Sequence, residues 1–141
     1  MRHFWIAAAA LIIASTPAIA ATPHGVWLSS DGRVKVKVSD CQGALCGRVV
    51  WLKEPLDPET HRPRTDKKNP DASKRGQPML GLNVVRGLQP AGENKWSGAI
   101  YNADDGKSYD VNVKLVSSKK MALEGCMVRV FCKSQTWTRV K

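Results

Sequence analysis

Hydrophobic and polar residues alternate with a period of two along most of this chain. In Arg33-Val34-Lys35-Val36-Lys37-Val38 three valines fall on one face and three cations on the other. Ser108 to Leu115 repeats the pattern, with Tyr109, Val111, Val113 and Leu115 on a common face. Successive side chains of a strand point to opposite sides, so each segment predicts a strand with one buried and one wet face. Weaker forms of the pattern predict strands over Val26–Ser30, Leu45–Lys53, Met79–Leu88, Lys95–Tyr101, Lys119–Cys126 and Gln135–Val140, with a short extra piece over Val128–Cys132. Beyond Ala20 no stretch carries a helical period, and there is no internal repeat.

Turn residues separate these strands. Asp31-Gly32 stands between the first two at hairpin spacing, and Asp104-Asp105-Gly106 closes another hairpin, glycine supplying the positive φ that such turns require. Pro90 to Asn94 predicts a longer connection, and Ser117-Ser118 a turn before Lys119. About eight antiparallel strands allow two all-β architectures, a single up-and-down barrel or a two-sheet sandwich. Short hairpin links favour the barrel. At about eight strands its interior is either filled by side chains or just wide enough for one small ligand.

One segment breaks the rhythm. From Glu54 to Pro78 the chain is polar and charged and contains Pro55, Pro58, Pro63, Pro70 and Pro78. A connection of that length is uncommon in a compact domain unless it has a task or is disordered. It predicts an excursion over one end of the sheet.

The N-terminus predicts export. Arg2 and His3 precede an apolar run from Phe4 to Ala14, and Ala18-Ile19-Ala20 forms a small-x-small cleavage site. Residues 1–20 therefore read as a signal peptide, leaving 21–141 as one domain in the periplasm or outside the cell. The apolar run is shorter than the ~20 residues of a spanning helix, and no transmembrane segment is expected in the mature chain. Net charge is +10, which favours anionic neighbours such as small acids or an anionic envelope component. Export and the lack of any nucleic-acid motif argue against nucleic acid.

Four cysteines, Cys41, Cys46, Cys126 and Cys132, all lie in the mature part. An even count in an oxidising compartment predicts two disulfides. Three pairings exist. Cys41–Cys46 and Cys126–Cys132 are favoured because each brackets a short segment that can turn back on itself. Cross-pairing would tie the first strands to the last. The CxxC spacing of a zinc site is absent.

Several strings resemble, in this order, the bacterial exported family known as domain of unknown function 2147. They are Gly25-Val26-Trp27, Cys41 to Gly47, Asp66-Lys67-Lys68-Asn69-Pro70-Asp71, Trp96 to Tyr101, Asp105 to Tyr109, and Gln135 to Arg139. The resemblance implies a periplasmic, lipocalin-like β-barrel and no agreed activity. Lipocalins carry Gly-x-Trp on the first strand and an arginine near the end of the last, places that Gly25, Trp27 and Arg139 match. A cation stacked over an indole there would be structural, contributing ~0.5–2 kcal/mol. The middle lipocalin motif, Thr-Asp-Tyr, is absent.

Candidate chemistry is sparse. Asp66, Asn69 and Asp71 offer oxygen ligands, but the looped calcium signature is missing and Asx turns around Pro70 account for the same residues. His24 and His61 show no positioned partner, and no nucleophile elbow exists, so catalysis, as by a hydrolase or isomerase of envelope components, has no named group. No cofactor is expected. Trp51, Trp96, Tyr101, Tyr109 and Trp137 lie on predicted strands, where they pack a core or line a cavity. The favoured expectation is a binding module holding one small, partly apolar or anionic ligand. Its wall residues would be Trp96, Tyr109 and Val111, with Trp51, Tyr101 and Arg48 in support. The rival is an interaction protein that touches the envelope through the basic 54–78 loop, using Arg62, Arg64, Lys67, Lys68, Lys74 and Arg75.

Overall fold

The computed structural model describes residues 11–15, 22–128 and 131–141, with 127–128 and 131–132 described by backbone alone. Eight strands run β1 Gly25–Leu28, β2 Val34–Cys41, β3 Ala44–Leu52, β4 Asn83–Gly92, β5 Lys95–Asn102, β6 Lys107–Ser117, β7 Lys120–Val128 and β8 Phe131–Arg139. Each pairs antiparallel with the next, and β1 closes on β8 through Trp27↔Arg139 and Leu28↔Thr138. Closure leaves no strand edge unpaired, so the fold is the up-and-down barrel and not the sandwich.

Two strands differ from the sequence expectation. β4 begins at Asn83 and runs through Pro90-Ala91-Gly92, which the sequence placed in a connection. Bulges explain the difference: Gly87 takes φ +71°, and the pairing with β5 shifts register at Arg86/Gln89 and again at Pro90/Gly92. A bulge lets proline and glycine sit in a strand that regular pairing would refuse them. β8 is one strand through Lys133-Ser134, where the sequence showed a polar gap between two pieces. Polar residues are tolerated there because this part of the inner face borders a cavity.

Alternation sorts the strands as predicted. Val36 and Val38 of β2, Val111, Val113 and Leu115 of β6, and Met121 and Leu123 of β7 all point inward and are buried. Gly47 and Gly98 are also inward positions: a Cβ on Gly47 would lie 2.9 Å from Val36 and Val85, and one on Gly98 2.9 Å from Leu88. Glycine at these two positions lets the neighbouring chains pack closely.

Cys41–Cys46 is a disulfide with Cα atoms 5.8 Å apart, stapling the β2–β3 hairpin. Cys126 is also disulfide-bonded, and Cys132 is its backbone partner across the β7–β8 ladder. The side chain of Cys132 lies outside the described residues, as do most of the predicted leader and its cleavage site. Of the leader, Leu11 to Ser15 are described; they have no regular structure, and Leu11, Ile12 and Ile13 are exposed. No helix among the described residues is long and apolar enough to cross a membrane, which leaves the question of membrane β-barrels untouched.

The long connection between β3 and β4 has local structure of its own. It folds on itself through bridges Leu56↔Pro63 and Thr65↔Pro78, with one 3-10 turn at Ala72–Lys74. It lies at the same end of the barrel as the β1–β2 and β5–β6 loops.

Candidate ligand-binding cavity

The barrel is solid in its lower half and hollow in its upper half. At the lower end Trp27 is fully buried, and its Nε1 donates to the Pro23 carbonyl at 2.9 Å. The Arg139 guanidinium stacks 4.4 Å from the Trp27 ring centroid and donates to the carbonyls of Ser118, His24 and Thr22. Gly25 has φ +139°, and any Cβ there would collide with Arg139 and the Lys141 carbonyl. The Gly25-x-Trp27 and Arg139 pattern therefore closes one end of the barrel. Above it Val38, Leu45, Leu88, Val113, Leu115 and Met121 fill the interior.

Beyond that packing lies a cavity of about 430 Å³. Its apolar wall is made by Val36, Val49, Val84, Ile100, Val111 and Leu123, and Met79 and Leu82 reach it from the long connection. An engineered apolar cavity of ~150 Å³ holds benzene, so this space suits a considerably larger molecule. Gly125 also lines it. A missing side chain on β7 widens the cavity at that level.

The mouth is polar. Ser29, Asp31, Asn102, Asp104 and Asp105 border it. Arg33 ties the β1–β2 loop to the β5–β6 loop, its Nη1 lying 3.8 Å from Asp31 and 3.4 Å from Asp104. Asp105 accepts hydrogen bonds from the Tyr109 hydroxyl and from the Lys107 N–H. The bond to Asp105 raises the Tyr109 pKa above its usual value. The three rim carboxylates are thus already engaged within the protein.

The sequence-predicted wall residues divide. Tyr109 and Val111 line the cavity, and Tyr101 stands at its edge. Trp96 shares the inward parity of Ile100 but sits at the start of β5, paired with Val113, and packs into the filled lower half. Trp51 is 38% exposed and carries the Lys35 ammonium 4.6 Å over its ring, on the outer surface. Arg48 lies between the buried Gly47 and Val49, so strand parity turns it outward to solvent. Lys133, Gln135 and Trp137 of β8 all line the cavity; the sequence reading missed the first two and named Trp137 only among the strand aromatics, not among the wall residues. The i, i+2, i+4 spacing with Trp137 was the available signal for Lys133 and Gln135, obscured because both are polar.

Tyr101 is claimed by the long connection. Its ring lies under the Arg86 guanidinium at 4.5 Å, and its hydroxyl donates to Asp66 Oδ1 at 2.6 Å. Burial, then the bond to Asp66, pushes the Tyr101 hydroxyl pKa up to about 12. Asp66 is fully buried and accepts a second bond from Asn69 Nδ2 at 2.7 Å. Asn69 Oδ1 in turn accepts the Asp71 N–H, and Asp71 Oδ1 caps the 3-10 turn through the Ser73 N–H. Asp66, Asn69 and Asp71 form a chain of turn-fixing bonds that pins the connection to the barrel.

The bases of this connection are largely spent on it. Arg64 bonds Glu54, Lys67 meets Asp57 at 2.9 Å, Lys74 lies 4.0 Å from Asp71, and Arg75 donates to the Asn69 carbonyl. Lys68 donates to the Asp104 carbonyl at 2.7 Å. A Cβ on Gly106, which has φ +71°, would strike the Lys68 carbonyl, so the β5–β6 turn and the connection are in direct contact.

Comparison with known proteins agrees with this architecture. A family model described as an uncharacterized protein conserved in bacteria (DUF2147) matches residues 25–139, the span from the start of β1 to the end of β8. Among solved structures, Protein HP1028 from the human pathogen Helicobacter pylori, described as belonging to the lipocalin family, is similar. It is 20% identical, covers 86% of this chain and 85% of its own, and superposes with a TM-score of 0.73. At that identity the likeness is one of fold. No curated protein matches the chain.

Proposed function

The chain belongs to the uncharacterised bacterial family DUF2147, and from its barrel we propose that it is an exported binding protein that holds one small, largely apolar molecule without transforming it. The observation that carries this reading is the cavity of about 430 Å³ above a closed floor, with aliphatic walls and a polar mouth. A barrel that served only as a scaffold would bury more of its apolar surface by filling that space, at roughly 25 cal/mol per Å². Export is supported by the basic, apolar and small-residue order of residues 1–20. Leu11, Ile12 and Ile13 also stand exposed and add nothing to the core. The envelope-contact alternative loses ground because most bases of the connection are engaged with the protein's own oxygens.

Gly125 gives a direct test. It lines the cavity at an ordinary strand φ, and a Cβ there would lie 3.3 Å from Val111 Cγ1. Gly125→Phe should fill the cavity once the Val111 side chain yields by a few tenths of an ångström. The wild-type protein is expected to bind an environment-sensitive apolar fluorophore at one site, and Gly125→Phe to lose that binding while keeping its melting temperature. Equal fluorophore binding by the two proteins would overturn the proposal.

A further inference from the structure

The inner face of β8 carries three hydrogen-bond donors that the protein leaves over. Trp137 is 7% exposed and lines the cavity, and its Nε1–H is buried without a hydrogen-bond acceptor among the described residues. Gln135, two residues nearer the mouth, accepts from the Ser30 hydroxyl at 3.4 Å, and its amide NH₂ has no partner among the described residues. Lys133, opposite Gly125, has no ion pair or hydrogen bond among the described residues. Among the described residues the charged side chains that line the cavity are Asp31, Asp104, Asp105 and Lys133. Asp31 and Asp104 share the Arg33 guanidinium, and Asp105 accepts from two neutral donors, so among the described residues Lys133 is the one of these four without a polar contact.

Deepening the cavity-binding reading, on which this step rests, we infer that the ligand is an elongated, mostly apolar molecule carrying a hydrogen-bond acceptor at its buried end for Trp137 Nε1 and an anionic group toward the mouth for Lys133. Trp137 and Lys133 are four residues apart on one strand, roughly 13 Å at the usual rise of about 3.3 Å per residue. The walls between these levels are Val111, Leu123 and the open space over Gly125, which suit an alkyl or similarly thin body. Burial decides the relative weight of the two ends. A buried donor left without an acceptor is costly, so meeting it should strengthen binding by roughly tenfold. The ammonium of Lys133 is exposed and screened, so its preference for an anion should be no more than about fivefold, and only at low salt.

The test uses four probes of equal chain length: dodecanol, dodecanoate, dodecylamine, and the keto acid that adds a ketone near the far end of dodecanoate. Calorimetric titration of the wild-type protein should rank the keto acid first, roughly tenfold above dodecanoate, then dodecanol, then dodecylamine. Trp137→Phe should erase the ketone's advantage, and Lys133→Met the gap between acid and alcohol, each with a wild-type circular dichroism spectrum and melting transition as proof of an intact barrel. The wild-type comparison of keto acid with dodecanoate needs no variant and stands even if Trp137→Phe misfolds. Equal binding of all four probes by the wild-type protein would overturn this inference and leave the cavity reading intact. Failure of every probe, with the fluorophore also unbound, would overturn the cavity reading itself.

Discussion

The two ends of this barrel are closed by different kinds of interaction. At the lower end a fully buried indole, a stacked guanidinium and three backbone carbonyls make one compact clamp around Trp27 and Arg139. At the upper end a long polar connection lies over part of the opening. A buried carboxylate, Asp66, and the Lys68 ammonium tie it to Tyr101 and the β5–β6 turn, while ion pairs such as Lys67–Asp57 hold it to itself. Apolar burial at the floor is lost only when the strands themselves separate. The upper end rests on bonds that a change of one side chain or of pH can release singly. A barrel that admits a molecule benefits from this asymmetry, because the opening can loosen while the strands stay paired.

Breaking the floor should have the largest effect. Trp27→Ala removes a fully buried indole, the platform for Arg139 and the donor to Pro23, and should cost about 3–5 kcal/mol of global stability. Urea unfolding followed by tryptophan fluorescence measures it, and a loss under about 1 kcal/mol would mean that the floor is not the stabilising end. Breaking the upper anchor should cost less and act locally. Asp66→Ala strands the Tyr101 hydroxyl and the Asn69 amide without their acceptor, a penalty of about 1–3 kcal/mol. The expected signature is rapid proteolytic nicking between Leu56 and Met79 with the strands still protected. Uniform loss of protection across all strands would show instead that the connection and the barrel unfold together.

The two ends were not equally legible in the sequence. The floor could be read because Gly25-x-Trp27 and Arg139 are local strings with a known physical logic, a cation stacked over an indole. The eight-strand barrel could be read because period-two alternation survives wherever one face is buried. The cavity was harder. Trp51 and Arg48 looked like wall candidates, but a single step of parity turns Arg48 outward, and composition does not reveal on which side of a strand an aromatic falls. Trp96 has the inward parity, yet its height along β5 puts it in the filled half, and height depends on the pairing of distant strands. Lys133 and Gln135 escaped notice because polar residues facing inward contradict the rule by which the other strands were found. They make sense only once the interior is known to be hollow.

Acid should separate the two ends most gently. Asp57 accepts from Lys67 Nζ and from the Glu59 and Thr60 N–H groups, and these bonds, the Lys67 contact first, hold its pKa at about 2 against an ordinary 3.8. A depressed carboxylate pKa means that the folded state favours the ionised form. The contribution is therefore complete above pH 3.8 and is lost as pH falls from there through about 2. Lys67 is 56% exposed, so the effect should be small and should shrink further in salt. Amide chemical shifts of Glu59 and Thr60 should titrate in that window, accompanied by faster hydrogen exchange in the connection. Asp57→Asn, which keeps an oxygen for the two amides and removes the charge, should flatten the response. The Trp27–Arg139 clamp should not follow, because Arg139 is bonded there to backbone carbonyls and to no carboxylate. If the indole of Trp27 shifted in step with Glu59 and Thr60, the ends would be coupled through the strands, and the separation between a fixed floor and a releasable opening would have to be given up.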